Sequence, residues 1–487
     1  MPGLEELSRE ELVALAREQA GVIVGLREAN AVLEERVRRL ERSAGRNSGN
    51  SSMPPSSDDL PGRSRAAPKR VKGSGRGRGK QTGARGSALS WVSAPDERVP
   101  HRPDGCCGCG ADLAEARDVG VEHSGQVHDL PQVRIKVWQH EVYRVRCGCG
   151  AEHVAVLPGE VSAAPSSYGV NLKALAVYLL VYQHVPVARC VQLIADLTGG
   201  TRPSGGFVHG MLARCAAAVA EVVAVIKTLI TATHVVGFEE TTLRCGPAGR
   251  KKYVLSASTE HATAYHLGGR DLDSFAAFGI LPTFAGVAVH DRYTNYFHPR
   301  WANLAGHQAC TAHLLREFAD AAETYPDQHW PAQAQRALRG LIAAWHTARD
   351  AGLAQISRDV GDELAVEFRR AVRVGLSRVP PAPGPRHSTA QHPGRDLLEF
   401  CRDREDDVLR FCADTRVWPT NNISERDLRP TKTQQKISGR LTSEQLTQDR
   451  LDIRSYIDTA RKHGIDVMTA LRHAITGHPW RPPQPAT

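Results

Sequence analysis

The stretch HVVGFEETTL, residues 234–243, is where the chain changes character. Before it, apolar residues recur at helical spacing. From it onward short β-type runs follow one another: Val235 to Phe238, Tyr253 to Ala257, Ala262 to His266 and Gly286 to His290. The first run leads straight into Glu239 and Glu240, and the fourth into Asp291. Acids at strand ends can project from a sheet into a cleft, and alternation along a regular strand sends Glu239 and Glu240 to opposite faces. Further on, a short apolar step at Gln308 to Cys310 enters CTAHLLREF, and TNNISERDLRP puts Glu425 at the beginning of another helix. The pattern predicts an α/β core over residues 232–440. Helical periodicity from Pro331 to Val374, followed by the Pro-rich break RVPPAPGPRHSTAQHPG, predicts a helical insertion at about 320–400 and a loop. Residues 441–487 read as a helical tail.

Upstream, residues 161–231 are strongly helical in pattern, with Leu172, Leu175, Tyr178, Leu179 and Tyr182 on one face. Val187 to Cys215 has the proportions of a helix-turn-helix around Gly199, Gly200 and Ser204, although any compact helical hairpin would look the same. Residues 100–160 hold Cys106 and Cys109, then Cys147 and Cys149, each pair beside glycines. Four thiolates in two pairs suit tetrahedral Zn²⁺, with Cys107 as a substitute ligand; unliganded cysteines are the alternative. The alternation from Val127 to Val145 fits a β-hairpin between the pairs, so the segment reads as a zinc ribbon that needs its metal to fold.

Residues 46–99 read as linker and arm. RNSGNSSMPPSSD lacks periodicity, and residues 61–90 carry Arg63, Arg65, Lys69, Arg70, Lys72, Arg76, Arg78, Lys80 and Arg85 with no acid among them. Such a run either lies along phosphates or stays solvated as a bare linker. Residues 1–45 carry a seam that recurs every seven, Leu12, Gln19, Leu26, Leu33 and Leu40 in one column and Ala16, Ile23, Asn30 and Val37 in the other. This predicts a coiled coil, and the lone Asn30 favours a parallel homodimer. A helix docked on its own protein is the alternative, given Gly21 and Gly25 within it.

The whole is a multidomain α+β chain of 487 residues, with 41% hydrophobic content and a formal charge of +9. That balance favours an acidic polymer as partner. Eleven cysteines, five of them in two tight clusters, do not make a secreted disulfide framework. No apolar run is long enough to span a bilayer. The expectation is a cytoplasmic, nucleoid-associated protein with no membrane partner.

Phosphodiester chemistry needs Mg²⁺ or Mn²⁺ held by a few hard oxygen ligands, two ions about 4 Å apart serving the attacking and leaving oxygens. Three converging carboxylates suffice. RNSGNSSMPPSSD, GKQTGARG, the paired cysteines, VGFEETTLR, GVAVHDRYTNY, CTAHLLRE and TNNISERDLRPTKTQQKISG, in that order over nearly the whole chain, resemble the insertion-sequence transposases of the IS-sixty-six family. The resemblance implies an RNase H-like catalytic core with an Asp-Asp-Glu triad. It also implies metal-dependent cleavage of double-stranded DNA at element ends, joining of the freed 3′-hydroxyl to target DNA, and other proteins of the same element as partners.

Carried over by residue, the second acid is Asp291 and the third Glu425. Glu239 occupies the place of the first, where the family usually has Asp; the extra methylene moves the carboxylate by roughly 1.5 Å. Three readings follow: Glu239 binds the metal after local adjustment, Glu240 serves instead, or the chain binds DNA without cutting it, as a repressor or competitor. A nuclease without strand transfer is a further alternative. The resemblance puts His313 and Arg316 near the cleft as phosphate contacts; otherwise His313 is a helix-surface residue and Arg316 pairs with an acid. Arg426, Arg429, Lys432, Lys436 and Arg440 form a basic run beside Glu425, suited to a DNA end or merely solvated.

Overall fold

The computed structural model describes residues 8–45, 89–157, 164–384 and 391–483. The basic arm with Lys69, Arg70, Lys72, Arg76, Arg78 and Lys80 lies outside the described residues, as does part of the Pro-rich break. Helix α1 (Arg9–Gly45) is one unbroken helix. Its seam residues Leu12, Ile23, Leu26, Leu33 and Val37 are exposed, so nothing in this chain covers that stripe among the described residues.

Residues 89–157 are largely extended and exposed. The hairpin expected between the cysteine pairs does not form. The segment has no strand before β1 (Arg144–Arg146), which pairs antiparallel with β2 (Glu152–Val154) around the second cysteine pair instead. Val127 is 93% and Val137 84% exposed, and alternation without a second layer to bury one face does not hold a ribbon together.

The rest is built on one five-stranded sheet. Strands β3 (Val235–Leu243), β4 (Lys252–Ser258) and β5 (Thr263–Gly268) form an antiparallel meander, and after the short helix α5 (Leu272–Phe278) β6 (Val287–His290) and β7 (Gly306–Ala309) add in parallel beside β3, giving the order β5-β4-β3-β6-β7. On one face Val236, Phe238, Leu255, Ala257 and Ala288 join a core made by α2 (Val170–Val177), α4 (Gly205–Thr231), α12 (Glu444–Lys462) and α13 (Val467–Ile475). Helices α2 and α4 and the helices after residue 440 therefore share the sheet's own core, and packing continues across 231/232 and 440/441.

Helix α4 is a central element of that core. It is 27 residues long, capped by Ser204 Oγ on the Phe207 N–H, and buries Val208, Met211, Leu212, Val219, Val222 and Ile226. It follows α3 (Val187–Leu197) across a turn in which Gly199 and Gly200 take φ of 71° and 116°, backbone that only glycine adopts without strain.

Both sheet edges are covered. Along β5 the N–H groups of Thr263, Tyr265 and Leu267 donate to Thr459 Oγ1, Ser455 Oγ and Gln448 Oε1 of α12, at 3.1, 2.9 and 2.8 Å. These are alternate residues, so the helix supplies an acceptor wherever the edge presents a free donor. At the other edge α10 (Glu405–Ala413) meets β7: Gln308 Nε2 donates to the Val408 carbonyl and Gln308 Oε1 accepts from the Phe411 N–H. Between β7 and α11 (Asn422–Ile437) lie α6 (Thr311–Thr324), α7 (Trp330–Asp350), α8 (Arg358–Arg378), α9 (Arg395–Asp403) and α10. Phe318, Trp330, Leu338, Phe368 and Leu398 give these helices a core of their own. The insertion thus extends to Ala413, past the expected limit near 400.

Candidate active site

Parallel pairing of β3 with β6 sets Gly237 opposite Val289. Two residues further along each chain stand Glu239, still within β3, and Asp291, just past the last residue of β6. Helix α11 lies against β3 and brings Glu425. It approaches so closely that a Cβ on Gly237 would stand 2.4 Å from Ser424 Oγ and 2.6 Å from Asn421 Oδ1. Only glycine allows this contact. Asn421, at the N-cap of α11, donates its amide to the Phe238 carbonyl at 2.6 Å and to Glu239 Oε2 at 2.9 Å, tying the helix to the strand at the acid itself.

Glu239 lies within reach of the charges of Asp291 and Glu425 in a half-buried cleft. Burial pushes the Glu239 pKa well above the usual carboxylate value, the charges of Glu240, Asp291 and Glu425 push it further, and the Asn421 amide opposes them. Burial likewise raises Asp291, against the Tyr293 N–H and the guanidiniums of Arg270 and Arg292. Lys432 reaches the same cluster: burial lowers its pKa while Glu239 and Glu425 pull it back up. Arg270 stands 3.6 Å from Asp291 Oδ2 and Arg316 3.7 Å from Glu425 Oε1, so neither guanidinium closes a hydrogen bond to its acid. A divalent cation held by oxygen would offset the raised pKa values of Glu239 and Asp291; Glu239, Asp291 and Glu425 are the right donor type for it, and their oxygens do not all lie within 4.8 Å of one another.

Glu240 points the other way. It accepts from Arg270 Nε at 2.6 Å and from the Tyr296 hydroxyl at 2.6 Å, and Arg270 Nη2 continues to Asp291 Oδ2 at 3.6 Å. Its carboxylate is already occupied by a half-buried guanidinium and a phenol. The neighbouring Arg292 anchors Asp291 from behind by pairing with Glu317 of α6 and, at 3.0 Å, with Asp396 of α9.

His313 is 8% exposed, so it is no helix-surface residue. Its Nδ1 stands 3.8 Å from Glu425 Oε1, and Arg316 Nη2 stands 3.7 Å from the same oxygen. Burial, with Arg316 and Arg292 nearby, lowers His313 to about 3, so its ring is neutral. Along α11, Glu425, Arg429, Lys432 and Lys436 follow one another at four, three and four residues and so share a stripe; Arg429 and Lys436 are exposed, as is Arg426 to one side. Arg440 instead donates to the Pro247 carbonyl at 2.7 Å and braces a loop.

The cysteine pairs form two separate hooks. The Cys106 N–H donates to the Ala111 carbonyl and the Cys147 N–H to the Ala151 carbonyl, each at 2.8 Å, closing a tight turn around each pair. Backbone N–H groups of Cys109 and Gly108 lower the Cys106 pKa, and that of Cys149 lowers Cys147, which favours thiolate at both hooks. No three of the four sulfurs come within 4.8 Å of one another.

Asn421, Lys432 as a partner of the acids, and the Gly237–Ser424 contact were not foreseen as parts of the site. Asn421 precedes Glu425 by four residues, the spacing that shares a helix face, and that signal was available. Among the described residues no helix is long and apolar enough to cross a membrane. The family model described as Transposase IS66 family matches residues 165–449, which takes in the sheet, α11 and every acid above. A model described as a family of unknown function (DUF6444) matches residues 1–90, and no curated protein matches the chain.

Proposed function

The chain belongs to the IS66 transposase family, and from that premise we propose that it cuts double-stranded DNA at the ends of its element and joins the freed strand to target DNA. The observation that carries this reading is that Glu239 on β3 feels the charges of both Asp291, just past β6, and Glu425 of α11 in one half-buried cleft, where they raise its pKa. The strand order, an antiparallel meander extended by two parallel strands, supports an RNase H-like core with a helical insertion before the third acid.

In this reading Glu239, Asp291 and Glu425 hold Mg²⁺ or Mn²⁺. When bound, the metal would supply the Lewis acidity that stabilises charge on the attacking and leaving oxygens of the phosphodiester. The chain's own residues orient the parts. Asn421 fixes the Glu239 carboxylate, so the longer side chain is met by a partner on α11, and Arg270 with Arg292 hold the strand end that bears Asp291. Arg429, Lys432 and Lys436, with Arg426 beside them, lie along the strand being processed and position its phosphates. The basic arm adds sequence-independent grip. The two cysteine hooks would close on one Zn²⁺, and α1 would pair its open seam with a second copy. Other proteins of the element would act alongside, at the nucleoid.

A second reading rests on Glu239 itself: with Glu in place of the family's Asp, the chain would hold DNA without cutting, as a repressor or competitor. Incubation of the full-length protein and Mg²⁺ with a labelled duplex bearing the element's end and a supercoiled target separates these readings. Strand transfer gives a labelled joined product; a nuclease alone gives cut ends without it; a repressor gives only a retarded complex.

A further inference from the structure

Beside the carboxylate cluster the described residues contain one group of three side chains with the donor types and spacing of a metal site. Cys310, His313 and Glu425 bring one ligand atom each to within 4.8 Å of one another. Cys310 and His313 are buried, and both His313 Nδ1 and Glu425 Oε1 are buried without a hydrogen-bond partner. Two unpaired polar atoms facing each other at 3.8 Å in a dry pocket are costly unless something sits between them. Around a tetrahedral zinc ion, ligand atoms stand about 3.4 Å apart given bonds near 2.1 Å, so this separation needs little adjustment.

The frame is built before any ion arrives. Cys310 follows the last residue of β7 and stands at the N-cap of α6, which puts His313 three residues on in the first turn. Thr311 donates its N–H and its hydroxyl to the Pro419 carbonyl at 2.9 and 2.7 Å, and the Asn421 N–H points at Cys310 Sγ at 3.2 Å. The N-termini of α6 and α11 are thereby stitched together with the three donors between them. Arg316 Nη2 approaches the shared oxygen only to 3.7 Å, beyond hydrogen-bonding distance.

We propose that Cys310 Sγ, His313 Nδ1 and Glu425 Oε1 form a binding site for Zn²⁺ or a similar borderline-soft divalent ion, distinct from the all-oxygen site and joined to it through Glu425. A thiolate, an imidazole and a carboxylate select such an ion over Mg²⁺. Three protein ligands leave the fourth position of a tetrahedron for water or substrate. An ion there fastens α11 to α6 and fixes one oxygen of Glu425, leaving the other for the carboxylate cluster. The inference goes beyond the strand-transfer reading, and its readout is bound metal, so either can fail while the other stands.

The test uses the full-length chain with Cys106→Ser, Cys107→Ser, Cys109→Ser, Cys147→Ser and Cys149→Ser combined, which removes the competing hooks. After zinc loading and dialysis, this protein retains one equivalent of zinc, and adding Cys310→Ser or His313→Ala loses it. Cobalt loading of the same five-fold variant gives a sulfur-to-cobalt charge-transfer band, a readout that requires no change inside the core. Retention of no zinc together with no such band overturns the proposal. So does zinc content unchanged by Cys310→Ser and His313→Ala in proteins whose circular dichroism is intact.

Discussion

Glu239 on β3 and Asp291, just past the end of β6, each lie two residues beyond the pairing of Gly237 with Val289. Burial raises the pKa of both acids, and the Asp291 charge adds to the rise at Glu239. For a carboxyl whose folded pKa is raised, stability is fully present below the unfolded value, about 4.3 for Glu, and is lost as pH rises through the folded value. The buried histidines oppose this trend: His290 and His313, both held down to about 3, lose stability as pH falls below the unfolded value near 6.5. The difference between proteins isolates the acid. Without metal, Glu239→Gln gains thermal stability over the wild type as pH rises above about 4.3, and saturating Mg²⁺ shrinks the gain. Equal melting temperatures for the two proteins across that range would sink the prediction.

Gly237→Ala is expected to damage the site more than the fold. The new methyl meets Ser424 Oγ at 2.4 Å and Asn421 Oδ1 at 2.6 Å, so those side chains must shift, and Asn421 is the one that holds Glu239. Overpacking of this kind costs about 1–3 kcal/mol. Urea unfolding measures that cost, and cleavage falls well beyond it. Adding Ser424→Ala restores part of both; no restoration would mean that the contact is not the cause.

Asp427, two residues after Glu425, is bound by Lys462 Nζ of α12 at 2.7 Å and by the Thr263 hydroxyl at 2.7 Å. Both members of the ion pair are nearly buried. Lys462→Met leaves that carboxylate unpaired and is expected to destabilise by about 3–5 kcal/mol. Lys462→Met with Asp427→Asn costs less than Lys462→Met alone, as a denaturant double-mutant cycle will register. A double variant no more stable than Lys462→Met would contradict the pairing.

Arg429 and Lys436 continue the stripe that begins at Glu425. If they carry phosphates, Arg429→Ala and Lys436→Ala weaken binding to every duplex alike. Each lowers the slope of log affinity against log salt by about 0.9. Fluorescence anisotropy at several salt concentrations measures the slope, and an unchanged slope returns these residues to a solvated face.

What the sequence disclosed was set by what is local. Strands β3, β4, β5 and β6 were legible because β-type runs break the helical pattern, and the opposite directions of Glu239 and Glu240 follow from alternation alone. The insertion was visible from its periodicity, but its end at Ala413 was not, because α10 belongs to it by packing on β7 and not by any sequence break. Helix α4 fills the core with α2, α12 and α13, and the sequence could not foretell this because a helix that fills a core and one that fills a groove share a pattern. The Cys310, His313 and Glu425 cluster joins residues more than a hundred positions apart, so spacing could not announce it. The hairpin at Val127 failed because alternation describes a strand only when something lies on its apolar side.

The central claim is that Glu239 works as a metal-binding acid in the place of an aspartate. The most direct measurement is cleavage of a labelled duplex carrying the element's own end, in Mg²⁺ and in Mn²⁺, by the wild type, Asp291→Ala and Glu239→Asp. The account predicts that the wild type cuts, that Asp291→Ala does not, and that Glu239→Asp gains nothing, since the shorter side chain loses Asn421. Cutting by Glu239→Asp alone would contradict it and make the natural chain a DNA-binding protein that no longer cuts.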